Sequence, residues 1–169
     1  MESPNNNPSS PNQAGSNFRI LTTKSGLEIK VPTTRWVYRD GVTDVDLDFS
    51  ALSGLLSDEM LDSLRSVMSW HVERYAPKTL NNLMDRVKAM FRALGTAAHK
   101  KRTELTETDL LNYRSIIGKQ REYYFATLRS FLVRWFELGY SGISPAAVEF
   151  VQDLRVDNNP RGTAVTTMD

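Results

Sequence analysis

Hydrophobic residues follow two different periods along the chain, which divide it into a short N-terminal part and a longer C-terminal part. Between positions 18 and 31, apolar and polar residues alternate on both sides of a Lys-Ser-Gly sequence at 24–26, and Pro32 closes the run. This pattern predicts a small β-hairpin. Positions 36–38 allow a third short strand. The acidic stretch that follows, with Asp44, Asp46 and Asp48 between apolar residues, predicts an extended segment lying on the core.

From position 57 the apolar residues recur with the period of an α-helix. Ser57 is the expected N-cap of a first helix, which extends to about position 76 before Pro77. A second, strongly amphipathic helix is predicted over 78–94, with Gly95 at its end. Thr106 and Asp109 have the spacing of a capping box. They predict the start of a third helix, which ends at Gly118 and has as its apolar residues Leu110, Leu111, Ile116 and Ile117.

Two more helices complete the predicted bundle. The fourth is predicted over 119–138 and has the widest apolar arc, so we expect it at the centre of the bundle. Its arc consists of Tyr124, Phe125, Leu128, Phe131, Leu132, Trp135 and Phe136. Ser144 and Pro145 form an N-cap and N1 pair that starts a fifth helix, with Val148, Val151 and Leu154 facing inward.

The N-terminal end of the chain is polar and rich in Asn, Ser and Pro, and the C-terminal end turns polar from Asp157. Such segments bury too little apolar surface to offset the entropy of ordering, so residues 1–17 are predicted to be a disordered tail. Residues 18–56 are an accessory β or extended segment, 57–156 a helical domain, and 157–169 a linker. The predicted fold is mainly α, a bundle of four to five helices preceded by a small β-hairpin.

Composition limits the class of protein. The 169 residues are 40% hydrophobic, enough for one sizeable core. The absence of cysteine excludes disulfides, thiol catalysis and thiolate metal sites, and only two histidines are present, so no metal or cofactor is expected. No stretch has the length of a membrane span and no signal peptide is evident, which favours a soluble, cytoplasmic protein without a membrane partner.

The formal net charge of +1 hides a strong segregation. Residues 1–76 carry a net charge of −3, residues 77–134 of +7, and residues 135–169 of −3. A basic centre of this kind is the electrostatic pattern that a phosphate backbone selects. The candidate DNA-binding residues lie on the polar faces of the second and fourth helices and in the basic loop at 99–102. They are Lys78, Asn81, Asn82, Arg86, Lys88, Arg92, Lys100, Lys101, Arg102, Lys119, Tyr123, Thr127, Ser130 and Arg134.

Several sequence segments resemble the core-binding (SAM-like) domain of tyrosine recombinases, the phage integrase family. They are Ala-Pro-Lys-Thr-Leu at 76–80, Leu-Thr-Glu-Thr-Asp-Leu-Leu at 105–111, Tyr-Phe-Ala-Thr-Leu-Arg-Ser-Phe-Leu at 124–132 and Gly-Ile-Ser-Pro at 142–145. The segment 161–169 resembles the linker to the catalytic domain. In that family the domain forms half of a clamp around duplex DNA, and two helices lie against the major groove. By this resemblance those are the second and fourth helices.

The resemblance also implies partners and a division of labour. Duplex DNA at a core recombination site and other recombinase protomers are the expected partners, and the fragment alone is expected to be monomeric. A prokaryotic or phage-derived, nucleoid-associated protein is implied. The family's catalytic Arg, His and Tyr residues would lie beyond Asp169, so the chain as given is not expected to be an enzyme. Its role would be to position DNA during integration or another recombination reaction.

Other functions stay open. A helical interaction or regulatory module, with its basic face on an acidic partner, is the main alternative. A stand-alone enzyme lacks support because no Gly-rich phosphate loop or nucleophile elbow is present. His71 and His99 each begin a His-x-x-Arg string, but neither has the context of a catalytic motif. The acidic positions 44, 46 and 48 lack the glycine and glutamate of a calcium loop, which favours a solvated strand edge.

Overall fold

The computed structural model describes residues 17–154. The fold is mainly α: five α-helices follow two small β-hairpins within this part of the chain. The predicted tail, apart from Asn17, and the predicted linker at 157–169 lie outside the described residues.

The N-terminal region contains two antiparallel hairpins. The first pairs β1 (Phe18–Thr22) with β2 (Glu28–Pro32), which confirms the predicted hairpin. The second pairs β3 (Arg35–Asp40) with β4 (Thr43–Asp48), in the register Trp36 opposite Leu47. The third strand is therefore confirmed. The acidic stretch is extended, as predicted, and it forms β4, because Gly41 (φ 64°) lets the chain turn back so that β4 pairs along the whole of β3.

The first three predicted helices form close to their predicted positions. These are α1 (Asp58–Val72), α2 (Pro77–Leu94) and α3 (Glu107–Ile117). The Ser57 hydroxyl accepts a hydrogen bond from the Met60 amide, and Thr106 and Asp109 exchange both bonds of a capping box. Gly95 ends α2, as predicted. In α3, however, Leu111 and Ile116 are exposed, and Tyr113 is buried beside Leu110 instead.

The fourth helix begins later than the sequence predicts. The segment Lys119–Arg121 is a 3-10 turn, and α4 spans Tyr124–Glu137. Two observations account for the interruption: the Glu122 amide bonds to the Lys119 carbonyl, and the Glu122 carboxylate accepts a 2.8 Å hydrogen bond from Arg114 of α3. As predicted, Ser144 caps the last helix, α5 (Pro145–Asp153).

Both hairpins and all five helices share one hydrophobic core. Trp36 and Leu47 of the hairpins and Phe131 and Trp135 of α4 belong to the same buried cluster. Phe136 was predicted to face the core, but 42% of its surface is exposed. The closest hairpin–helix contact joins β4 to α2. This contact determines which side of α2 remains accessible.

Candidate nucleic-acid interface

The exposed face of α2 carries several of the predicted site residues. Lys78, Asn82 and Arg92 are exposed, while Arg86 and Lys88 are partly buried. All five lie opposite the buried apolar arc, as the helical period predicts. Three of these cations, Lys78, Lys88 and Arg92, form no ion pair with a carboxylate of residues 17–154.

Asn81 serves the fold. Its side-chain amide donates a 2.9 Å hydrogen bond to the Asp44 carbonyl, and its side-chain oxygen accepts a 3.1 Å bond from the Asp46 amide. Both polar ends of Asn81 are therefore occupied by the edge of β4. The sequence predicts Asn81 as a DNA contact, and in the structure its side-chain amide docks β4 on α2.

The β4 side of α2 is acidic. Arg35 donates two hydrogen bonds to the Asp46 carboxylate, at 2.9 and 2.6 Å. These bonds hold the pKa of Asp46 below its usual value, and the positive charge of Lys88 acts in the same direction. A nucleic acid approaching from this side would meet carboxylates, so we call this flank the closed side of α2, consisting of Asn81, Lys88 and the adjoining β4 strand.

The opposite flank of α2 faces α4. The Arg86 guanidinium carbon lies 3.6 Å from the centre of the Tyr124 ring and 5.8 Å from that of Tyr123. The two tyrosine rings pack edge to face, with centroids 4.9 Å apart. Stacking on an aromatic face orients a guanidinium without using its hydrogen-bond donors. We call this flank, with Arg86, Tyr123 and Tyr124, the open side of α2.

The predicted residues of the fourth helix divide between two elements. Thr127, Ser130 and Arg134 lie on α4. Lys119 belongs to the preceding 3-10 turn, and Tyr123 is the residue before α4. Their predicted place on one continuous helix from position 119 is therefore wrong, because that turn interrupts the helical phase. Lys119 is exposed, and the other four are exposed or partly buried.

The basic loop after α2 contains two exposed cations, Lys100 and Lys101, and one buried cation, Arg102. Ala97 and Lys100 exchange two backbone hydrogen bonds of 2.9 Å, and the two residues between them, Ala98 and His99, have φ values of 52° and 64°. Two central residues with positive φ are the pattern of a type I′ turn. This turn leaves Lys100 and Lys101 exposed.

Arg102 is buried, with only 7% of its surface exposed. Its side chain donates to the Gly95 carbonyl (2.9 Å), the Leu94 carbonyl (3.2 Å) and the Asp109 carboxylate (2.6 Å). Its backbone also bridges to the segment before α1. The interpretation of Arg102 as a phosphate contact is therefore wrong on geometric grounds, because its donors are occupied by the end of α2 and the start of α3.

The two His-x-x-Arg strings differ in their surroundings. His71 is buried, its Nδ1 lies 2.8 Å from the Val67 carbonyl, and burial lowers its pKa. His99 is exposed in the strained turn. The residue three positions after His71, Arg74, lies over the ring of Trp70. No group of three or more His, Asp or Glu residues within 17–154 has the arrangement of a metal site.

Three residues near the candidate interface were not predicted. Arg121 is an exposed cation of the 3-10 turn. Burial raises the pKa of Tyr113, and the positive charges of Arg86 and Arg121 both act against that rise. Trp70 and Arg74 lie at the end of α1. The only sequence signal for them was an aromatic next to basic residues, which is common in helices.

Comparison with known proteins does not identify the chain. It matches no protein-family model, no curated protein and no solved structure. Among the helices of residues 17–154, none combines the length and apolar character needed to cross a membrane.

Proposed function

We propose that this chain binds duplex DNA as the core-binding part of a tyrosine recombinase, positioning a recombination site for catalytic residues beyond Asp169. The observation that carries the proposal is the distribution of cations that lack a carboxylate partner within residues 17–154. In the basic middle of the chain these cations are Lys78, Arg86, Lys88, Arg92, Lys100, Lys101, Lys119, Arg121 and Arg129, of which Arg129 donates a hydrogen bond to the Leu154 carbonyl.

Phosphate contacts supply most of the salt-dependent affinity of DNA-binding proteins. The open side of α2 offers Arg86, oriented by its stacking on Tyr124, next to the start of α4. The turn after α2 presents Lys100 and Lys101 to solvent. Small hydroxyl side chains at Thr127 and Ser130 would let a helix approach a nucleic-acid backbone closely. The proposed DNA surface therefore consists of the open side of α2, the 97–101 turn and the beginning of α4.

The test is the salt dependence of DNA affinity. We expect the full chain to bind a labelled duplex with an affinity that falls steeply between about 50 and 200 mM salt. Arg86→Ala and the double change Lys100→Ala/Lys101→Ala should flatten the plot of log K against log salt by about 0.9 for each phosphate that is no longer neutralised. Arg39→Ala, which removes an exposed arginine opposite Asp44 in the second hairpin, is the matched control.

Two results would overturn the proposal. One is the absence of duplex binding at every salt concentration, and the other is an equal loss of slope in the Arg39 control. Binding to an acidic polypeptide that duplex DNA does not displace would favour the protein-interaction alternative instead. The recombinase assignment has its own test in the reading frame after Asp169, where an Arg, a later His-x-x-Arg and a final Tyr are expected.

A further inference from the structure

An aromatic and basic cluster lies outside the surface described above, at the end of α1. The guanidinium carbons of Arg74 and Arg134 lie 4.2 and 4.5 Å from the centre of the Trp70 ring. Arg74 follows α1 directly, whereas Arg134 comes from α4. One indole ring thus brings together two arginines that are 60 positions apart in the chain.

We propose that Trp70, Arg74 and Arg134 form a phosphate-binding site that extends the DNA surface onto the end of α1. This inference rests on the proposed function and adds a contact to it. Each guanidinium contacts the indole ring and keeps N–H donors that can bind phosphate oxygens. Contact with the indole face stabilises each cation while leaving donors for the phosphate.

The carboxylates now next to these arginines are weak competitors. The Nη1 atom of Arg74 lies 3.1 Å from Oε1 of Glu73, and the Nη1 atom of Arg134 lies 2.9 Å from Oε1 of Glu137. Both glutamate side chains are about half exposed, so each pair contributes at most about 1 kcal/mol and is readily exchanged. Arg74 also donates a 3.0 Å hydrogen bond to the Trp70 carbonyl, which fixes its position over the ring.

The position of the cluster links it to the rest of the surface. Thr127, Ser130 and Arg134 recur at intervals of three and four residues, so they form one row along α4, and Tyr123 directly precedes the helix. The Arg86–Tyr123 contact lies at one end of the row, and the Trp70 cluster lies at the other.

Trp70 provides a direct probe of the site. The other two tryptophans of the chain, Trp36 and Trp135, are fully buried, so only Trp70 is accessible to a quencher in solution. We expect a duplex to protect the tryptophan fluorescence of the full chain from acrylamide. Arg74→Ala and Arg134→Ala should each flatten the salt dependence of DNA affinity by about 0.9 in log–log slope, whereas Arg39→Ala should not.

Two sets of variants separate phosphate binding from a structural role. Trp70→Leu keeps the charge but removes the ring, and it should weaken DNA binding; if it does not fold, Trp70→Phe is the milder change. Glu73→Gln and Glu137→Gln release the arginines from their carboxylates, so both should increase DNA affinity. A purely structural role for the ion pairs predicts the opposite, a lower melting temperature with no gain in affinity.

The outcomes distinguish this inference from the proposed function. Salt-dependent duplex binding with no protection of Trp70 and no change of slope in Arg74→Ala would overturn the inference alone and leave the proposed function intact. No binding of duplex DNA at any salt concentration would overturn both. Protection of Trp70 together with flattened slopes in both arginine variants would support the site.

Discussion

The two sides of α2 contain similar residues and have different roles. On the closed side, Asn81 gives both of its polar ends to β4, and the neighbouring Asp46 is already paired with Arg35. On the open side, Asn82 is exposed and Arg86 rests on a tyrosine ring. A polar helix face is therefore not one surface. One flank is covered by the chain's own hairpin, and the other faces α4 and leaves Asn82 exposed.

The largest expected effect concerns Arg102, which joins the end of α2 to the start of α3. Arg102→Met leaves the buried Asp109 carboxylate without its cation and frees the carbonyls at the end of α2. We expect a loss of about 3–5 kcal/mol in the free energy of unfolding, measured by urea denaturation. The matched variant Lys101→Met should stay within about 0.5 kcal/mol of the parent. Equal effects of the two changes would contradict the structural role of Arg102.

Asn81 and Asn82 are neighbours on α2, so substituting each of them compares the closed and open sides within one turn of the helix. Asn81→Ala removes two hydrogen bonds to β4 and should cost about 1–2 kcal/mol, because the freed groups of β4 can bind water instead. It should also speed hydrogen exchange at the Asp46 amide. Asn82→Ala should leave stability and exchange unchanged. If the two variants behave alike, the flanks of α2 are equivalent and the distinction fails.

A pH effect is expected at His71, which packs against Trp70. Burial lowers the pKa of His71, and the charges of Arg134 and Arg74 act in the same direction. The unfolded chain therefore binds a proton more readily than the folded one once the pH falls below about 6.5. Stability should decrease there by up to about 1.4 kcal/mol per pH unit and stay flat above. In His71→Gln, unfolding curves recorded between pH 7 and pH 5 should lose this dependence.

The smallest effect concerns the turn after α2. Ala98 has φ 52°, a conformation that disfavours residues with a Cβ atom. Ala98→Gly should raise the free energy of unfolding by at most about 1 kcal/mol, since glycine relieves the strain but also gains freedom in the unfolded chain. Thermal unfolding of the variant is the measurement. A lower melting temperature would mean that the turn is not strained.

Local signals were enough to predict much of the helical region. The caps at Ser57, Thr106 and Ser144 and the stop at Gly95 depend on residues within one turn of each other, so the sequence contains all the information needed. The start of α4 was missed because the break depends on the contact of Glu122 with Arg114 of α3.

The candidate site was predicted less well, for a related reason. Lys100, Lys101 and Arg102 are adjacent and chemically similar, and only the packing of α2 against α3 assigns Arg102 to the interior. Asn81 is occupied by a strand that lies 35 residues before it in the chain. Trp70 meets Arg134 only because α1 packs on α4. The charge and the helical period of the sequence locate a polar helix face, whereas long-range contacts decide which of its side chains are used within the fold.

The arrangement of the 97–102 segment makes it a natural place to cut the chain without separating its parts. Trypsin should cleave after the exposed Lys100 or Lys101 and spare the buried Arg102. The C-terminal fragment would still contain Arg102, bound to the Gly95 and Leu55 carbonyls of the N-terminal fragment. The nicked protein should therefore migrate as one particle under native conditions and as two fragments in denaturant, which makes this turn a suitable site for a split protein.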